Sequence, residues 1–328
     1  MTNVDDDFQT MINSYEEEKA KADNKKQEIK PPQSDKIVKV KFEAENFAVN
    51  QYGKPKVNSL KNIRIAIEND NILKNQFVFN SFTQEIEIRT PFKLKGVEIE
   101  NDGLKEVYIT AILEHFEEKY DVLFDSRLLV NVINKIAYEN KYNPVQDFME
   151  DCYKNWDKVK RARSLFPDYL GAKESDLTER MTKLFFVGAV SKVYHPYDKF
   201  DFVLDLVGGQ GSGKTTFLTK MGQGWYTDSM KNFDDKDQLV MMLRALIVND
   251  DEMAISNKIP FADLKKFITQ TVLSFRAPYG TKVENYAKNF VIAQTTNHEE
   301  YQKDRTGARR FLPFIARRSY KNIIRFLI

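Results

Sequence analysis

The chain has 328 residues, of which 42% are hydrophobic and 30% are charged, and its formal net charge is +2. This hydrophobic content is sufficient for the buried cores of two domains. The single cysteine, Cys152, excludes intrachain disulfides, is typical of a reducing cytoplasm, and is expected to pack among apolar neighbours. The acidic N-terminus lacks the apolar segment of a signal peptide, and no apolar run approaches the roughly 18 residues that span a bilayer. We therefore expect a cytoplasmic protein that does not interact with membranes.

The near-neutral net charge conceals a basic C-terminal part. Residues 265–328 contain 13 Lys or Arg and 4 Asp or Glu, so they carry a net charge of +9, whereas residues 1–264 carry −7. Concentrated positive charge favours contact with phosphate backbones, a contact that depends on salt and tolerates changes of sequence. The charge distribution therefore makes DNA a candidate partner.

The chain begins with an acidic segment, residues 1–35, which ends at a Pro-Pro pair and is predicted to be a mobile tail. Residues 36–141 are predicted to form a small N-terminal α+β domain. It contains no paired carboxylates and no metal cluster, so we expect it to serve oligomerisation or DNA engagement. Its predicted elements are helices at 58–75, 104–120 and 125–139 and a strand at 86–88.

Residues 142–198 are predicted to be a helical segment. Pro167, Gly171 and Pro196 are expected to interrupt it. The remaining residues, 199–328, alternate apolar strand-like runs with helix-compatible runs, which predicts an α/β core with a parallel sheet flanked by helices.

The most informative segment is GGQGSGKT, residues 208–215, a complete phosphate-binding loop. It follows a strand-like run at 200–207 and precedes a helix-compatible run at 216–221, so phosphates would meet a helix N-terminus. The glycines let backbone N–H groups point at phosphate oxygens, Lys214 supplies a cation, and Thr215 supplies a hydroxyl for Mg²⁺. ATP and Mg²⁺ are therefore the predicted ligands. The predicted contacts are Gly208, Gly209, Gln210, Gly211, Ser212, Gly213, Lys214, Thr215 and Thr216.

Two other classes of nucleotide-binding protein are disfavoured. A dinucleotide fingerprint needs a third glycine five residues after the first, and Lys214 or Thr216 occupies that place. A GTPase would be expected to carry a base-reading N-K-x-D motif, and the nearest match, residues 257–260, ends in proline. The loop therefore favours an ATPase or kinase over a dehydrogenase or GTPase.

An ATPase also needs carboxylates opposite the phosphates, and the run Ala245–Glu252 supplies them after four apolar residues. We expect Asp251 to hold Mg²⁺ through its water shell and Glu252 to activate the attacking water. Asp250 is the alternative metal partner, because the sequence does not determine which carboxylate faces the loop.

A further strand-like run, residues 290–293, leads to Asn297, whose amide could bind the attacking water or the γ-phosphate. Arg309 and Arg310 follow about ten residues later. In an oligomeric ATPase, such arginines would reach into the phosphate site of the neighbouring subunit and stabilise charge on the transferred group.

From about Tyr142 to Phe314 the chain resembles the virulence-associated protein E group of phage and mobile-island proteins, whose ATPase core is similar to superfamily 3 helicases within the AAA+ class. The shared motifs occur in the same order over about half of the chain. Ser274 stands where the family often has an acidic residue, and many members continue past the equivalent of Phe314. The motifs lie at 143–148, 156–157, 168–171, 188–190, 199–201, 209–214, 276–280, 295–297 and 306–311.

The resemblance implies a ring-forming, ATP-driven motor, hexameric in the related helicases, that acts on DNA during replication of a mobile element in a bacterial host. It also implies a DNA-contacting hairpin near residues 275–284, where a strand, a Pro/Gly turn and a second strand can be read. Arg276, Tyr279 and Lys282 are the candidates for contact with DNA, because they offer charge and a stacking surface.

We therefore expect an oligomeric, ATP-hydrolysing DNA helicase or translocase. One alternative is a replication initiator or regulator that uses ATP only as a switch and does not unwind DNA. A second alternative is a P-loop kinase for a small substrate, which would need neither a ring nor DNA. DNA-stimulated ATP turnover and strand displacement separate the three.

Overall fold

The computed structural model describes residues 46–101, 103–276, 282–298 and 309–317. The chain divides into two compact units, residues 1–55 and residues 56–328. In the first unit the described residues form an isolated antiparallel bridge between Val49 and Pro55. The helices and strands described below all belong to the second unit.

A five-stranded parallel sheet forms the centre of the second unit and confirms the predicted α/β core. Its three central strands form from apolar runs of the sequence and are buried on both faces, as parallel strands usually are. The strands are β6 (Val203–Val207), β7 (Tyr226–Thr227), β8 (Ile247–Asp250), β11 (Val291–Thr296) and β12 (Phe311–Ile315). Their order across the sheet is β12-β6-β11-β8-β7.

Two apolar clusters cover the two faces of this sheet, because alternate residues of a strand point to opposite sides. Leu204 and Leu206 of β6 belong to one cluster, and Val203 belongs to the other. The first cluster includes side chains of α5 (Leu165–Leu170), α6 (Asp176–Tyr194) and α7 (Lys214–Gly222). The second includes side chains of α8 (Lys236–Leu243) and α9 (Phe261–Thr269).

Residues 60–142 form a smaller α/β assembly. The helix α1 has Ser59 as its N-cap and ends at Glu68, whereas the sequence predicted a helix that continues to residue 75. It ends early because the carboxylate of Asp70 accepts the N–H groups of Ile72 and Leu73 and starts a separate turn. The elements are α1 (Leu60–Glu68), β1 (Phe77–Asn80), β2 (Glu85–Ile88), β3 (Phe92–Leu94), β4 (Val97–Ile99), α2 (Glu106–Tyr120), α3 (Ser126–Glu139) and β5 (Lys141–Tyr142).

The turn between β1 and β2 connects this assembly to the parallel sheet. Phe82 of the turn is buried in the same apolar cluster as Leu246 and Ile247. Asn289, just before β11, donates hydrogen bonds to the carbonyl oxygens of Phe82 at 2.8 Å and Leu243 at 3.0 Å. These buried contacts hold the β1–β2 turn against the starts of β8 and β11.

The helical segment contains α4 (Pro144–Lys154), α5 and α6, with no helix between residues 155 and 164. Two expectations for it are wrong. Pro167 does not interrupt a helix but lies in the first turn of α5, where a missing N–H leaves no helical hydrogen bond unmade. Cys152 is exposed rather than packed, because Val145 is the buried residue of α4.

Candidate nucleotide site

The predicted site residues lie at the carboxyl ends of three adjacent strands. The phosphate loop follows β6, Asp251 and Glu252 follow β8, and Asn297 follows β11. Because β11 lies between β6 and β8, the amide of Asn297 falls between the loop and the carboxylates. The site is therefore assembled by strand order from three segments that are far apart in sequence.

The loop has the open backbone that a phosphate needs. Gly211 and Gly213 have φ values of 74° and 85°, in the left-handed region that favours glycine. A side chain on Gly208 would lie 2.3 Å from the carbonyl oxygen of Ala316, at the end of β12, so this position accepts only glycine. By contrast, a Cβ atom on Gly209 would meet nothing within 4 Å, which leaves space above the loop.

Lys214 is buried at the start of α7, and its ammonium group makes four hydrogen bonds. It donates to the carbonyl oxygens of Gly208 at 2.6 Å and Gly209 at 3.1 Å, to the hydroxyl of Ser212 at 3.3 Å, and to Oδ1 of Asn297 at 3.0 Å. Burial lowers the pKa of Lys214, and the nearby carboxylates oppose that shift. The cation is thus held inside the loop by neutral acceptors.

The structure places Asp251, rather than Asp250, beside the phosphate loop. Oδ1 of Asp251 accepts hydrogen bonds from the hydroxyls of Thr215 at 3.1 Å and Thr295 at 2.6 Å. The carboxylate of Asp250 instead accepts the N–H groups of Ile255 at 2.9 Å and Ser256 at 2.8 Å, so it caps the following turn. Of the two candidate metal partners, Asp251 alone contacts Thr215.

Glu252 is connected to Lys214 through Asn297. Nδ2 of Asn297 donates to Oε1 of Glu252 at 2.8 Å, while Oδ1 of the same amide accepts from Lys214. Glu252 has a φ of 53°, which costs roughly 1 kcal/mol for a residue with a Cβ atom. Its N–H group donates to the hydroxyl of Thr295 at 3.0 Å, and this bond supports the strained backbone.

Two polar residues of the site were missed by the sequence reasoning. Thr295 is buried in β11 and bonds to both Asp251 and Glu252, so it fixes their relative position. Asn249 is buried in β8 and donates to Asp251 at 3.3 Å and to the hydroxyl of Tyr226 at 3.0 Å. Both are polar residues within strands whose burial is otherwise apolar, and that pattern could have identified them.

The oxygen atoms of Asp251 and Thr215 suit Mg²⁺, a hard cation that keeps several waters and takes few protein ligands. In the described part of the chain, no group of three or more His, Cys, Asp or Glu side chains could hold a metal ion by itself. The residues present therefore fit a magnesium ion that arrives with a nucleotide, rather than a metal enclosed by protein.

The two arginines lie at the amino ends of the strands, whereas the phosphate loop lies at the carboxyl ends. They precede β12, whose first residue, Phe311, pairs with Val203 at the start of β6. Five residues of β6 separate that edge from the loop, a length of about 15 Å at the usual rise of a strand. Arg310 is half-buried with its Nε 3.9 Å from the carboxylate of Asp201, whereas Arg309 is exposed.

The expected hairpin is present as two antiparallel strands, β9 (Val272–Phe275) and β10 (Glu284–Ala287). Arg276 and Lys282 are exposed beyond the ends of the two strands. Tyr279, the third DNA-contact candidate, lies outside the described residues. The hairpin therefore carries two exposed basic side chains, one next to each strand.

In the residues that the structure covers, no helix is both long enough and apolar enough to cross a membrane.

Comparison with known proteins identifies one family. Residues 149–325 match the virulence-associated protein E-like domain, a stretch that is more than half of the 328 residues. No curated protein matches the chain. Among solved structures, an A-form apo structure of the NrS-1 C-terminal region is 13% identical, with a TM-score of 0.39, over 75% of this chain and 58% of that one. A second structure of that region is 14% identical, with a TM-score of 0.40, over 76% of this chain and 59% of that one.

Proposed function

This chain belongs to the virulence-associated protein E-like family, and on that premise we propose that it is an oligomeric AAA+-type ATPase that hydrolyses ATP to move or unwind DNA in the replication of a phage or mobile element. The observation that carries the proposal is the hydrogen-bonded series Lys214, Asn297 and Glu252 beside the Asp251–Thr215 pair. Phosphoryl transfer to water uses a cation for the phosphates, a carboxylate for the metal ion and a group that orients the attacking water. This series and the pair beside it supply a buried cation, an amide and two carboxylates with separate partners.

The loop and the start of α7 would bind the phosphates of ATP. The first N–H groups of a helix have no partner within the helix, so this end of α7 offers donors and a positive dipole to phosphate oxygens. Lys214 would exchange the carbonyl oxygens of Gly208 and Gly209 for phosphate oxygens, which are stronger acceptors because they are charged. Mg²⁺ bound with the nucleotide neutralises phosphate charge, and Thr215 and Asp251 are the residues that would hold it.

Glu252 would orient and deprotonate the water that attacks the γ-phosphate. Its Oε1 is bound by the amide of Asn297, while Asp251 is occupied by two hydroxyls, so the two carboxylates are available for different roles. Asn297 bonds both to Glu252 and to Lys214, and a phosphate that withdraws Lys214 would free the amide oxygen. This arrangement links occupation of the loop to the position of the proposed base.

The location of the arginines supports an oligomer. Arg309 is exposed at the edge of the sheet opposite its own phosphate loop, so it could contact only the phosphates of another subunit. An exposed apolar face on α6, which includes Val187 and Val190, offers area for such an association. We propose Arg309 as the group that completes the neighbour's site, since Arg309 is exposed whereas Arg310 is half-buried with its Nε 3.9 Å from the carboxylate of Asp201.

The experiment that tests the proposed function compares nucleotide binding and turnover in the parent and two lysine variants. Lys214→Ala should abolish hydrolysis and weaken binding of Mg-ATP, because the phosphates lose a buried cation. Lys220→Ala is the matched control, since Lys220 is exposed on the same helix. Undiminished turnover in Lys214→Ala would exclude the phosphate site. Stimulation of turnover by single-stranded DNA would separate the proposal from a small-substrate kinase, and strand displacement would separate it from an ATP-controlled switch.

A further inference from the structure

A basic turn connects α4 to α5 and has no role in the nucleotide site. We define it as residues 153–163, whose sequence is YKNWDKVKRAR, with five basic side chains and one acidic side chain. All of its residues except Ala162 are exposed. It lies outside the basic C-terminal part of the chain and far in sequence from the β9–β10 hairpin.

The basic turn is ordered by its own hydrogen bonds. The carboxylate of Asp157 accepts from the guanidinium of Arg161, with Nη1 at 2.8 Å, and from the N–H of Val159 at 3.0 Å. The indole Nε1 of Trp156 donates to the carbonyl oxygen of Val159 at 3.1 Å. An exposed segment with these internal bonds presents its remaining side chains from a fixed backbone.

Lys158 is held in an unusual position within the turn. Its φ is 66°, in the left-handed region that residues with a Cβ atom rarely adopt. Its ammonium group lies 5.3 Å from the ring centre of Tyr153 and 5.0 Å from that of Trp156. The backbone conformation and the two aromatic contacts together hold a cation in place, which a solvated run of charges does not do.

The other charges of the turn show which cations are available to a ligand. Arg161 is neutralised by Asp157, and Arg163 lies among three carboxylates. No carboxylate lies within ion-pair distance of Lys158 or Lys160 in the part of the chain that the structure covers. The turn therefore presents two lysines without carboxylate partners beside two exposed aromatic rings, Tyr153 at 70% and Trp156 at 40% exposure.

We propose that the basic turn binds single-stranded nucleic acid, with Lys158 and Lys160 contacting phosphates and the rings of Tyr153 and Trp156 stacking on bases. Lysines complement the backbone charge, and aromatic faces stack on unpaired bases whatever their identity. A duplex offers no free base face to these rings, so single strands are preferred. The inference rests on the DNA partner of the proposed function and adds a contact surface separate from the hairpin and from the ATP site.

The test measures binding of a fluorescent oligothymidine of about 20 nucleotides by anisotropy, without nucleotide, at several salt concentrations. Lys158→Ala/Lys160→Ala should weaken binding about tenfold and reduce the slope of log affinity against log salt by about 1.4, the value for two phosphate contacts on a single strand. Lys61→Ala/Lys74→Ala is the matched control, because both lysines are exposed outside the turn. This control should leave affinity and slope unchanged.

A second pair of variants tests stacking. Tyr153→Ala should weaken binding about tenfold at every salt concentration, because stacking does not release counterions. Tyr197→Ala, which removes a similarly exposed tyrosine elsewhere, should have no effect.

The outcomes separate this inference from the proposed function. If the parent binds the oligonucleotide and neither turn variant changes affinity or slope, the basic turn is not a contact surface, although DNA remains a partner. If the turn variants lose binding while the parent does not hydrolyse ATP, the inference stands and the ATPase proposal fails. If the parent does not bind the oligonucleotide at all, the inference is overturned, while ATP turnover is judged by the Lys214 variant.

Discussion

At the scale of single residues, Asn297 connects groups that would otherwise act independently. Its amide has one donor end and one acceptor end, and in this structure the first binds Glu252 and the second binds Lys214. Aspartate could not donate to Glu252, and alanine would leave both partners without this bond. A neutral amide is therefore the group that can join a cation to a carboxylate at this position.

Glu252→Gln should separate binding from chemistry. The variant keeps the shape of the side chain and removes the base, so Mg-ATP binding should persist while turnover falls by about 10²- to 10⁴-fold. Asp251→Asn should instead lower the affinity for Mg²⁺, so that a higher Mg²⁺ concentration is needed for turnover, because Asp251 lies beside Thr215 at the proposed metal site. Binding isotherms and steady-state turnover measure the two effects. Loss of nucleotide binding in Glu252→Gln, with only slower turnover in Asp251→Asn, would reverse the two assignments.

At the scale of secondary-structure elements, Lys288 anchors the base of the β9–β10 hairpin. It follows β10 and is fully buried, with its ammonium group donating to the carbonyl oxygens of Phe267 and Ile268, both at 3.0 Å. Those carbonyls lie in the last turn of α9, where carbonyl groups lack helical partners. The lysine thus ties the hairpin to the end of α9.

The burial of Lys288 should make stability depend on pH. Burial lowers the pKa of Lys288 from 10.5 to about 7, with nearby Lys192 adding to the shift and Asp201 opposing it. Between these values the unfolded chain binds more protons than the folded one, so stability should increase with pH. Relative to Lys288→Met, the parent should gain up to about 1 kcal/mol per pH unit from about pH 7 to pH 10.

Denaturant unfolding of the parent and Lys288→Met across this pH range measures that difference. Lys61→Met is the control, because it makes the same substitution at an exposed lysine. A constant difference between the parent and Lys288→Met would mean that the buried lysine does not titrate in this range.

The hairpin itself should couple DNA to turnover. Arg276→Ala/Tyr279→Ala/Lys282→Ala should leave basal ATP hydrolysis nearly intact, because the flanking strands β9 and β10 form a sheet separate from the parallel sheet of the nucleotide site. Stimulation by single-stranded DNA and any unwinding should be lost, since the hairpin loses two cations and a stacking ring. DNA-stimulated turnover and strand displacement at several salt concentrations test this. A variant that unwinds like the parent would remove the hairpin from the DNA path.

At the scale of the whole molecule, the parallel sheet has two chemically different edges, one at the carboxyl ends of its strands and one at their amino ends. The carboxyl edge carries the phosphate loop, the acidic residues and Asn297. The amino edge carries Arg309 and the contacts that Asn289 makes with the β1–β2 turn. A chain with its proposed base at one edge and an exposed arginine at the other would suit the head-to-tail assembly that we propose.

Mixing two inactive variants should restore activity if the site is shared between subunits. Arg309→Ala and Lys214→Ala proteins combined in equal amounts should recover up to about a quarter of parental turnover, the fraction of interfaces that join both intact parts. Lys214→Ala mixed with Glu252→Gln should recover none, because both groups belong to the same subunit's site. Turnover of the first mixture that equals the average of its separate components would argue against a shared site.

Several features could be read from the sequence because each depends on nearby residues. Motif spacing identifies the phosphate loop, and apolar runs identify the buried strands β6, β8 and β11. The N-cap residue Asp125 marks the start of the helix that follows it. The hairpin strands on either side of residues 277–281 were likewise predicted from local β-rich runs. Local geometry and hydrophobic patterning are sufficient for these elements.

The tertiary structure decided what depends on register and on packing between distant segments. Neighbouring residues of a strand point to opposite faces, so a shift of one position determines whether Asp250 or Asp251 meets Thr215. Strand order and helix docking likewise determine three further features. These are the contacts of Thr295 with both acidic residues, the exposure of Cys152, and the placement of Arg309 across the sheet from the loop. The sequence by itself determined which chemical groups are present and on which elements they lie. Only the packed sheet decided which of them meet, because those contacts join segments separated by tens of residues.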